Sequence, residues 1–519
     1  MPPVAKSGRH APRTHAACRT CKRRRVKCDL GRPSCARCQK AGFTCEGYEL
    51  LIIETSTPSP SKEKLFLNPS NALLSTFRAT QADWQAYDFY VSKVALTLGG
   101  AFDQDLWQKL VVQLANVEPT VRHGAFALGF LFRHLDLSDK ISECTCVHCS
   151  QALRHYNKSI AAFSTFLQRP PRDQRIDVAI ISCLVFFCLE AYRMNSINAA
   201  GLISRGCWMI AGAPSASGSS TTAIDRTLLK TFDRLWLLAN MFGRHVPRPR
   251  VNPPAMFRNF DTVEAARDAL HDITALTQSL RVRAYQVQVN STSDFEASTT
   301  LAILQKEQEP VVELLEDWRR RTQHLMGRRD LQPFSRTPAW YCLIIRYLIT
   351  KIRTVACMNP SEMRDDDHVE DFQQLITTAE EGLAKFTAIG EAKRFSLEPS
   401  FLPALYFTAC KCRQPTIRRK ALELLCLAGV REGLWQKAEL TCVAARVIEL
   451  EEGIATLDVP NMPAVFSRPS LRFCDVLVDL NYRQDEKTLV HVTYLIYDAQ
   501  SQKPCQTAEE ILTVSDQGS

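Results

Sequence analysis

The chain has 519 residues, 45% of them hydrophobic and 23% charged, and its formal net charge is +9 at pH 7. This is the composition of a globular protein that is long enough for about three domains. The longest nearly continuous apolar run, Val178 to Leu189, is shorter than the about 20 residues that a membrane-spanning helix needs, so we expect no transmembrane helix and no membrane partner.

The positive charge is concentrated at the N-terminus. Residues 1–50 hold 12 Lys or Arg and 3 Asp or Glu, which accounts for the whole net charge of +9. This distribution favours a polyanion bound by the N-terminal segment, with a solvated basic tail as the alternative. Because residues 1–13 are basic without a following apolar stretch, no secretory signal is expected. The 20 cysteines are therefore expected to be reduced thiols rather than disulfides.

Six cysteines in the basic segment repeat one spacing twice. The pattern is C-x2-C-x6-C-x6-C-x2-C-x6-C, formed by Cys18, Cys21, Cys28, Cys35, Cys38 and Cys45. Zinc takes four ligands in structural sites, so each half of three thiolates is one ligand short. Two zinc ions that share two sulfurs would each have four thiolate ligands. Nearby basic residues would offset the negative charge that remains on the cluster. Six unrelated reduced cysteines are the alternative, which the repeated spacing disfavours.

The segment CRTCKRRRVKCDLGRPSCARCQKAGFTC resembles the binuclear zinc cluster (Zn2Cys6) of fungal transcription factors. The resemblance includes the basic run before the third cysteine and the proline before the fourth. It implies two bridging sulfurs and two further ligands for each ion: Cys18 and Cys35 would bridge, Cys21 and Cys28 would complete one ion, and Cys38 and Cys45 the other. Metal binding is expected to supply the folding energy, because a core this small cannot fold by burial alone.

Five basic residues lie between the second and third cysteines, and we expect a short helix that follows Cys18 and ends near Arg25. The resemblance places the base-contacting side chain at Arg25, where the family usually has lysine, and Arg24 is a second candidate. It implies double-stranded DNA with C·G-rich triplets such as CGG, and arginine can donate two hydrogen bonds to guanine. Phosphate contacts are expected from the surrounding basic residues Lys22, Arg23, Lys27, Arg19 and Arg37. A solvated charge is the alternative for each of them.

The predicted DNA-binding domain covers residues 1–50, with the cluster at 18–45, and a flexible linker is predicted over 51–74. The linker prediction depends on the Ser-, Thr- and Pro-rich segment around Pro58. No heptad pattern persists over three repeats between Gly47 and Gly99. A homodimer would therefore form through the large domain, and binding as a monomer stays open.

Residues 75–519 are predicted to form a large, mostly α-helical regulatory domain. Apolar residues spaced by three and four predict a helix over 224–242, and a nearly all-apolar segment predicts a buried central helix over 176–192. Alternation over 488–497 predicts a strand. The expected fold is a small metal-stabilised zinc cluster domain followed by this helical domain.

Three further features of the large domain carry predictions. A helix is predicted to start with a capping pattern at Asp261 and Glu264. Another is predicted over 434–450. A third is predicted to begin near Pro310 and to end with basic residues at 319–321, which would suit the helix dipole.

Residues 144–149 offer four potential metal ligands in a short span: Cys144, Cys146, His148 and Cys149. Ligands this crowded rarely complete a tetrahedron without a distant pair. A loop with reduced thiols is therefore favoured over a second metal site.

The large domain resembles the fungal-specific regulatory domain that accompanies the zinc cluster, in stretches such as ISCLVFFCLEAY and REGLW. By analogy it would restrain activity, bind an effector or hold transcriptional coregulators. No P-loop, dinucleotide-binding glycine pattern, H-E-x-x-H or G-x-S-x-G is found, so an enzyme is not predicted. The predicted function is a zinc-dependent, sequence-specific transcription factor for RNA polymerase II in the nucleus. The alternative is a metal- or redox-sensing or protein-interaction module with only non-specific DNA affinity.

Overall fold

The computed structural model describes parts of the N-terminal segment and most of the chain from residue 79 to residue 514. The described residues are 18–24, 26–29, 35–45, 79–100, 102–135, 144, 146–170, 174–193, 195–212, 226–241, 246–249, 260–290, 294–331, 333–359, 361, 363–389, 395–397, 400–457, 472–479, 489–498 and 503–514. They belong to two compact units, Met1–Phe89 and Tyr90–Ser519. The linker predicted over 51–74 lies outside the described residues.

The first unit contains three α-helices in its described residues: α1 (Arg19–Arg24), α2 (Ala36–Lys40) and α3 (Gln81–Phe89). Helix α1 confirms the expectation of a short helix after Cys18, while Arg25 lies outside the described residues. The buried side chains around α1 and α2 are almost entirely cysteines, with Val26 packed against them. Apolar burial is therefore too small to hold these short helices together by itself.

The second unit is mostly helical, as predicted. Its α-helices are α4 (Ala95–Gly99), α5 (Val111–Val117), α6 (Pro119–Leu135), α7 (Val147–Leu167), α8 (Ile176–Tyr192), α9 (Ser196–Gly212), α10 (Arg226–Met241), α11 (Val263–Asn290), α12 (Asp294–Met326), α13 (Pro338–Ala356), α14 (Val369–Ile389), α15 (Phe401–Lys411), α16 (Pro415–Leu427) and α17 (Lys437–Glu451). Short π-helical turns occupy Tyr90–Val94 and Asp105–Leu110, and 3-10 turns occupy Phe334–Arg336 and Asp366–His368. In the part of the chain that the structure describes, no helix combines the length and apolar character needed to span a bilayer.

Helix α8 is the buried central helix that its all-apolar sequence predicts. Every residue from Val178 to Tyr192 is buried, and α8 packs between α6 and α9. The close approach of α6 to α8 depends on Gly124 in α6, because a Cβ there would lie 2.5 Å from Cγ1 of Val185 in α8. A larger residue at Gly124 would push the two helices apart.

Two other helix predictions are confirmed with shifted ends. Helix α10 covers most of the predicted span 224–242, and α17 begins three residues after the predicted start at Leu434. Helix α11 begins at Val263, and its first turn is capped by Thr262, whose Oγ1 accepts the N–H of Ala265 at 3.2 Å. The capping residue is therefore Thr262 rather than Asp261.

The predicted helix start near Pro310 is wrong. Helix α12 begins at Asp294 and passes through Pro310 to end at Met326. Residues on both sides of this proline, including Leu304 and Val311, are buried in the core, so tertiary packing overrides the helix-breaking tendency of Pro310. Further along α12, Nε1 of Trp318 donates to the carbonyl of Ala266 at 2.7 Å. The basic residues 319–321 accordingly lie before the last turn, where Arg320 and Arg321 pair with Asp317.

Two small sheets lie in the C-terminal part of the second unit. Strands β1 (Phe395–Ser396), β2 (Arg431–Glu432) and β3 (Trp435–Gln436) form one, with β1 parallel and β3 antiparallel to β2. Strands β4 (Asp475–Asp479), β5 (Leu489–Asp498) and β6 (Lys503–Thr513) form an antiparallel sheet in that order.

Strand β5 confirms the predicted strand, and its alternation has a clear structural origin. Val490, Val492, Tyr494 and Ile496 are buried on one face of this central strand. Strand β6 was not predicted, because it lies at a sheet edge where Ile511 is exposed and the apolar alternation is weak. Strand β4 is only five residues long, which leaves too short a pattern to recognise.

A buried ion pair joins α16, α17 and the segment that leads into β4. The Glu451 carboxylate accepts a hydrogen bond of 2.9 Å from Nη2 of Arg418 and one of 3.0 Å from the N–H of Phe473. Both side chains of the ion pair are almost completely shielded from solvent. Removal of Glu451 would leave the charge of Arg418 buried without its carboxylate partner.

We therefore expect Glu451→Ala to lower the free energy of unfolding by about 3–5 kcal/mol, the usual cost of a buried ion pair that loses one member. Glu451→Gln is the matched control, because it keeps an oxygen for the Phe473 N–H and loses only the charge. Urea unfolding followed by circular dichroism measures the free energy of unfolding of both variants. Equal stability of wild type and Glu451→Ala would contradict this account of the pair.

Candidate metal centre and nucleic-acid interface

The two halves of the cysteine segment adopt the same local structure. Cys18 and Cys35 each precede a short helix, and each sulfur accepts the N–H of the cysteine three residues later, Cys21 or Cys38, at 3.3 Å. The C-x2-C spacing thus puts one sulfur at the start of a helix and the next within its first turn. N–H groups at a helix start favour negative charge, so these positions suit thiolates.

The two halves bring their sulfurs into one cluster. The Sγ atom of Cys18 lies 3.7 Å from that of Cys35 and 3.8 Å from that of Cys38, and the corresponding distances from Cys21 are 3.5 and 3.7 Å. All these thiols are free rather than disulfide-bonded. Cysteines separated by 17 residues in the sequence are therefore in direct contact.

The six sulfurs form two overlapping groups of four. Within each group all sulfurs lie no more than 4.8 Å apart; the groups are Cys18, Cys21, Cys28 and Cys35, and Cys18, Cys35, Cys38 and Cys45. Cys18 and Cys35 belong to both groups. Five of the six side chains are buried, and Cys45 is partly exposed.

This donor set fits zinc. Zinc–sulfur bonds of about 2.3 Å in a tetrahedron place the sulfurs about 3.8 Å apart, which is close to the distances between these thiols. Soft thiolates also select zinc over magnesium or calcium. Without a cation, desolvation raises the pKa of Cys18 to about 12, and it raises that of Cys35 further. Cys18 and Cys35 would then be neutral thiols, so a metal must displace their protons to bind.

Two polar contacts that the sequence analysis missed join the halves of the segment. The Asp29 carboxylate accepts the N–H groups of Ala36 at 3.0 Å and Arg37 at 3.1 Å, at the start of α2. The N–H of Arg37, together with that of Ala36, lowers the pKa of Asp29. Thr20 in α1 donates from Oγ1 to the carbonyl of Thr44 at 3.0 Å. The only sequence signal for Asp29 is its position as a lone acid in a basic segment.

The predicted DNA-contacting residues are partly described. Arg23, Lys27 and Arg37 have exposed side chains. Arg24 is half-buried, and its guanidinium carbon lies 3.9 Å from the centre of the Phe43 ring. This stacking restrains Arg24 at the surface of the cluster. Two further predicted residues, Arg19 and Lys22, are placed by their backbone in α1.

Comparison with known proteins identifies the N-terminal segment. The family described as the fungal Zn(2)-Cys(6) binuclear cluster domain matches residues 16–51. The match contains all six cysteines and the basic run, so it covers the same residues that the geometry brings together. No solved structure matches this chain.

Several curated relatives are fungal regulators. The chain is 26% identical over 237 residues to the aspercryptin biosynthesis cluster-specific transcription regulator of Emericella nidulans, which covers 40% of this chain and 36% of that protein. It is 23% identical over 181 residues to the transcription regulator lscL of Purpureocillium lilacinum, which covers 33% of this chain and 43% of the relative. It is 47% identical over 40 residues to arginine metabolism regulation protein II of Saccharomyces cerevisiae, which covers 8% of this chain and 4% of that protein. The chain therefore spans less than half the length of these relatives.

Asp29→Ala should weaken zinc retention severalfold, because it removes the acceptor of two N–H groups that holds α2 against the first half of the segment. Asp29→Asn is the matched control, since it keeps one acceptor oxygen. Its zinc retention should lie between that of Asp29→Ala and that of the wild type. Competition of the full-length protein with a chelator, followed by zinc analysis, measures the effect. Identical zinc loss from all three proteins would show that this contact does not support the metal centre.

Proposed function

We propose, from the membership of residues 16–51 in the fungal Zn(2)-Cys(6) binuclear cluster family, that the chain is a zinc-dependent, sequence-specific DNA-binding transcription regulator. It would act in the nucleus on genes transcribed by RNA polymerase II. The observation that carries the proposal is the pair of four-sulfur groups that share Cys18 and Cys35, next to a basic helix. Its regulatory relatives support the same function.

In this proposal the six cysteines hold two zinc ions. Cys18 and Cys35 bridge, because they are the two sulfurs common to both groups. The remaining four sulfurs supply the other ligands, Cys21 and Cys28 to one ion and Cys38 and Cys45 to the other. Zinc supplies the free energy that orders a segment with almost no apolar core.

The DNA contacts follow from the position of the basic residues relative to the cluster. Helix α1 starts directly after Cys18, so its side chains project from a backbone fixed at a ligand. Arg25 and Arg24 would contact bases in the major groove, with a preference for C·G-rich triplets such as CGG. Phosphates would be bound by Lys22, Arg23, Lys27, Arg19 and Arg37, and the exposure of Arg23, Lys27 and Arg37 is consistent with this role.

The domain boundaries proposed are 1–50 for DNA binding, 51–74 for the linker and 75–519 for a fungal-specific regulatory domain. The helical second unit would bind coregulators and could form a homodimer. A non-enzymatic role agrees with the regulatory relatives. The net charge of the chain also supports this division, since residues 1–50 carry all of the excess positive charge.

Selection of bound duplexes from random DNA with the full-length protein tests the function. CGG-containing sequences should be enriched, and chelation should abolish this enrichment until zinc is restored, because the metal centre orders the contacting residues. Salt-dependent binding without any sequence preference would instead favour the non-specific alternative, a metal- or redox-sensing or protein-interaction module.

Arg25→Ala should weaken binding to the selected sequence by about 1–3 kcal/mol and relax its specificity, as expected for the loss of a bidentate base contact. Lys22→Ala is the matched control and should weaken binding to all sequences alike, because a phosphate contact carries no sequence information. Fluorescence anisotropy with the selected and a scrambled duplex separates the two effects. Equal losses on both duplexes for Arg25→Ala would remove Arg25 from the base-contacting role.

A further inference from the structure

A second group of potential zinc ligands lies in the helical unit, where α6 ends and α7 begins. His134 is in the last turn of α6 and is buried. Cys144, Cys146 and Cys149 lie just before and within the first turn of α7. One ligand atom from each of the four residues lies within 4.8 Å of the other three. His134 therefore lies next to three cysteines that are ten or more positions away from it in the sequence.

The spacing of these atoms fits a tetrahedral metal. Nδ1 of His134 lies 3.3 Å from the sulfur of Cys146 and 3.8 Å from that of Cys144. Ligands at about 2.0–2.3 Å from zinc in a tetrahedron are themselves about 3.3–3.8 Å apart. Three thiolates and one imidazole also form a donor set that favours zinc over calcium or magnesium.

The cysteines of this group repeat the local structure of the N-terminal cluster. Cys146 and Cys149 form a C-x2-C pair, and the sulfur of Cys146 accepts the N–H of Cys149 at 3.4 Å at the start of α7. The equivalent bonds to Cys18 and Cys35 are 3.3 Å long. The same arrangement of sulfur and helix start thus occurs at a third place in the chain.

The histidine of the group is not the one that the local sequence pattern suggests. His148 is adjacent to Cys149, but its ring packs 6.4 Å from that of Phe130 and it does not belong to the group. His134 provides the distant ligand that the crowded cysteines lack. The loop between helices that the sequence favours for these residues ends at Cys146, because Cys149 lies in the first turn of α7.

We propose that His134, Cys144, Cys146 and Cys149 form a Cys3His zinc site that is separate from the N-terminal cluster. All four ligands come from the protein, which is typical of a structural site rather than a catalytic one. The site would join the end of α6 to the start of α7, two helices that already meet through His123 and His155, with Nδ1 atoms 3.1 Å apart. Zinc would thus fix one end of this helix pair.

Zinc analysis of the full-length protein tests the proposal. The double variant Cys146→Ser and Cys149→Ser should hold one zinc fewer per chain than wild type, and His134→Ala should also lose it. His148→Ala is the matched control and should keep the wild-type content. Unchanged zinc in the double variant, or loss with His148→Ala but not with His134→Ala, would overturn the site.

A measurement on the wild-type protein covers the case in which the variants fail to fold. Alkylation with iodoacetamide, followed by peptide mass spectrometry, should leave Cys144, Cys146 and Cys149 protected until a chelator is added. Cys426 is exposed and should react throughout. Reaction of the three thiols as fast as Cys426 before the chelator is added would contradict the proposal. Protection of the three thiols that persists after the chelator is added would also contradict it. Neither experiment depends on DNA binding, so the site and the proposed function can fail separately.

Discussion

The convergence of the six N-terminal sulfurs is the constraint on which the DNA-binding segment depends. Sulfurs 3.5–3.8 Å apart cannot all carry negative charge in a buried cluster unless a cation lies among them. Desolvation raises the pKa of Cys18 and Cys35, and neutral thiols form only weak hydrogen bonds. Among the described residues around the short helices α1 and α2, no other buried core could replace this interaction.

A regular local structure makes the convergence possible. Each C-x2-C pair starts a helix, and the first sulfur accepts an N–H from the second cysteine. When the two C-x2-C pairs approach each other, their sulfurs form two four-sulfur groups together with Cys28 and Cys45. Asp29 and Thr20 contribute to that approach, because each bonds from one half of the segment to the other. Their hydrogen bonds are part of the metal centre even though neither residue is a ligand.

The sequence predicted those features that depend on local spacing. The repeated spacing of the cysteines, the apolar run of helix α8 and the alternation of strand β5 can each be read from a short segment of sequence. The structure has the corresponding elements. Helix α12 shows the limit of this reasoning, since tertiary packing around Leu304 and Val311 overrides the helix-breaking tendency of Pro310. His134 shows it for the proposed zinc site, because its three cysteine partners lie at and just before the start of another helix and only the folded chain brings them together.

The charge distribution extends the argument from the metal centre to the whole chain. Beyond residue 50 the numbers of acidic and basic residues are equal, so the helical unit adds no net attraction to a polyanion. The basic residues held by the cysteine cluster must then supply most of the electrostatic affinity for DNA. In the proposed function, loss of the metal would remove the restraint on those residues, which could still bind phosphates but would no longer hold Arg24 and Arg25, the proposed base-contacting residues, in register with bases. Metal dependence should therefore appear first in sequence specificity and only second in affinity.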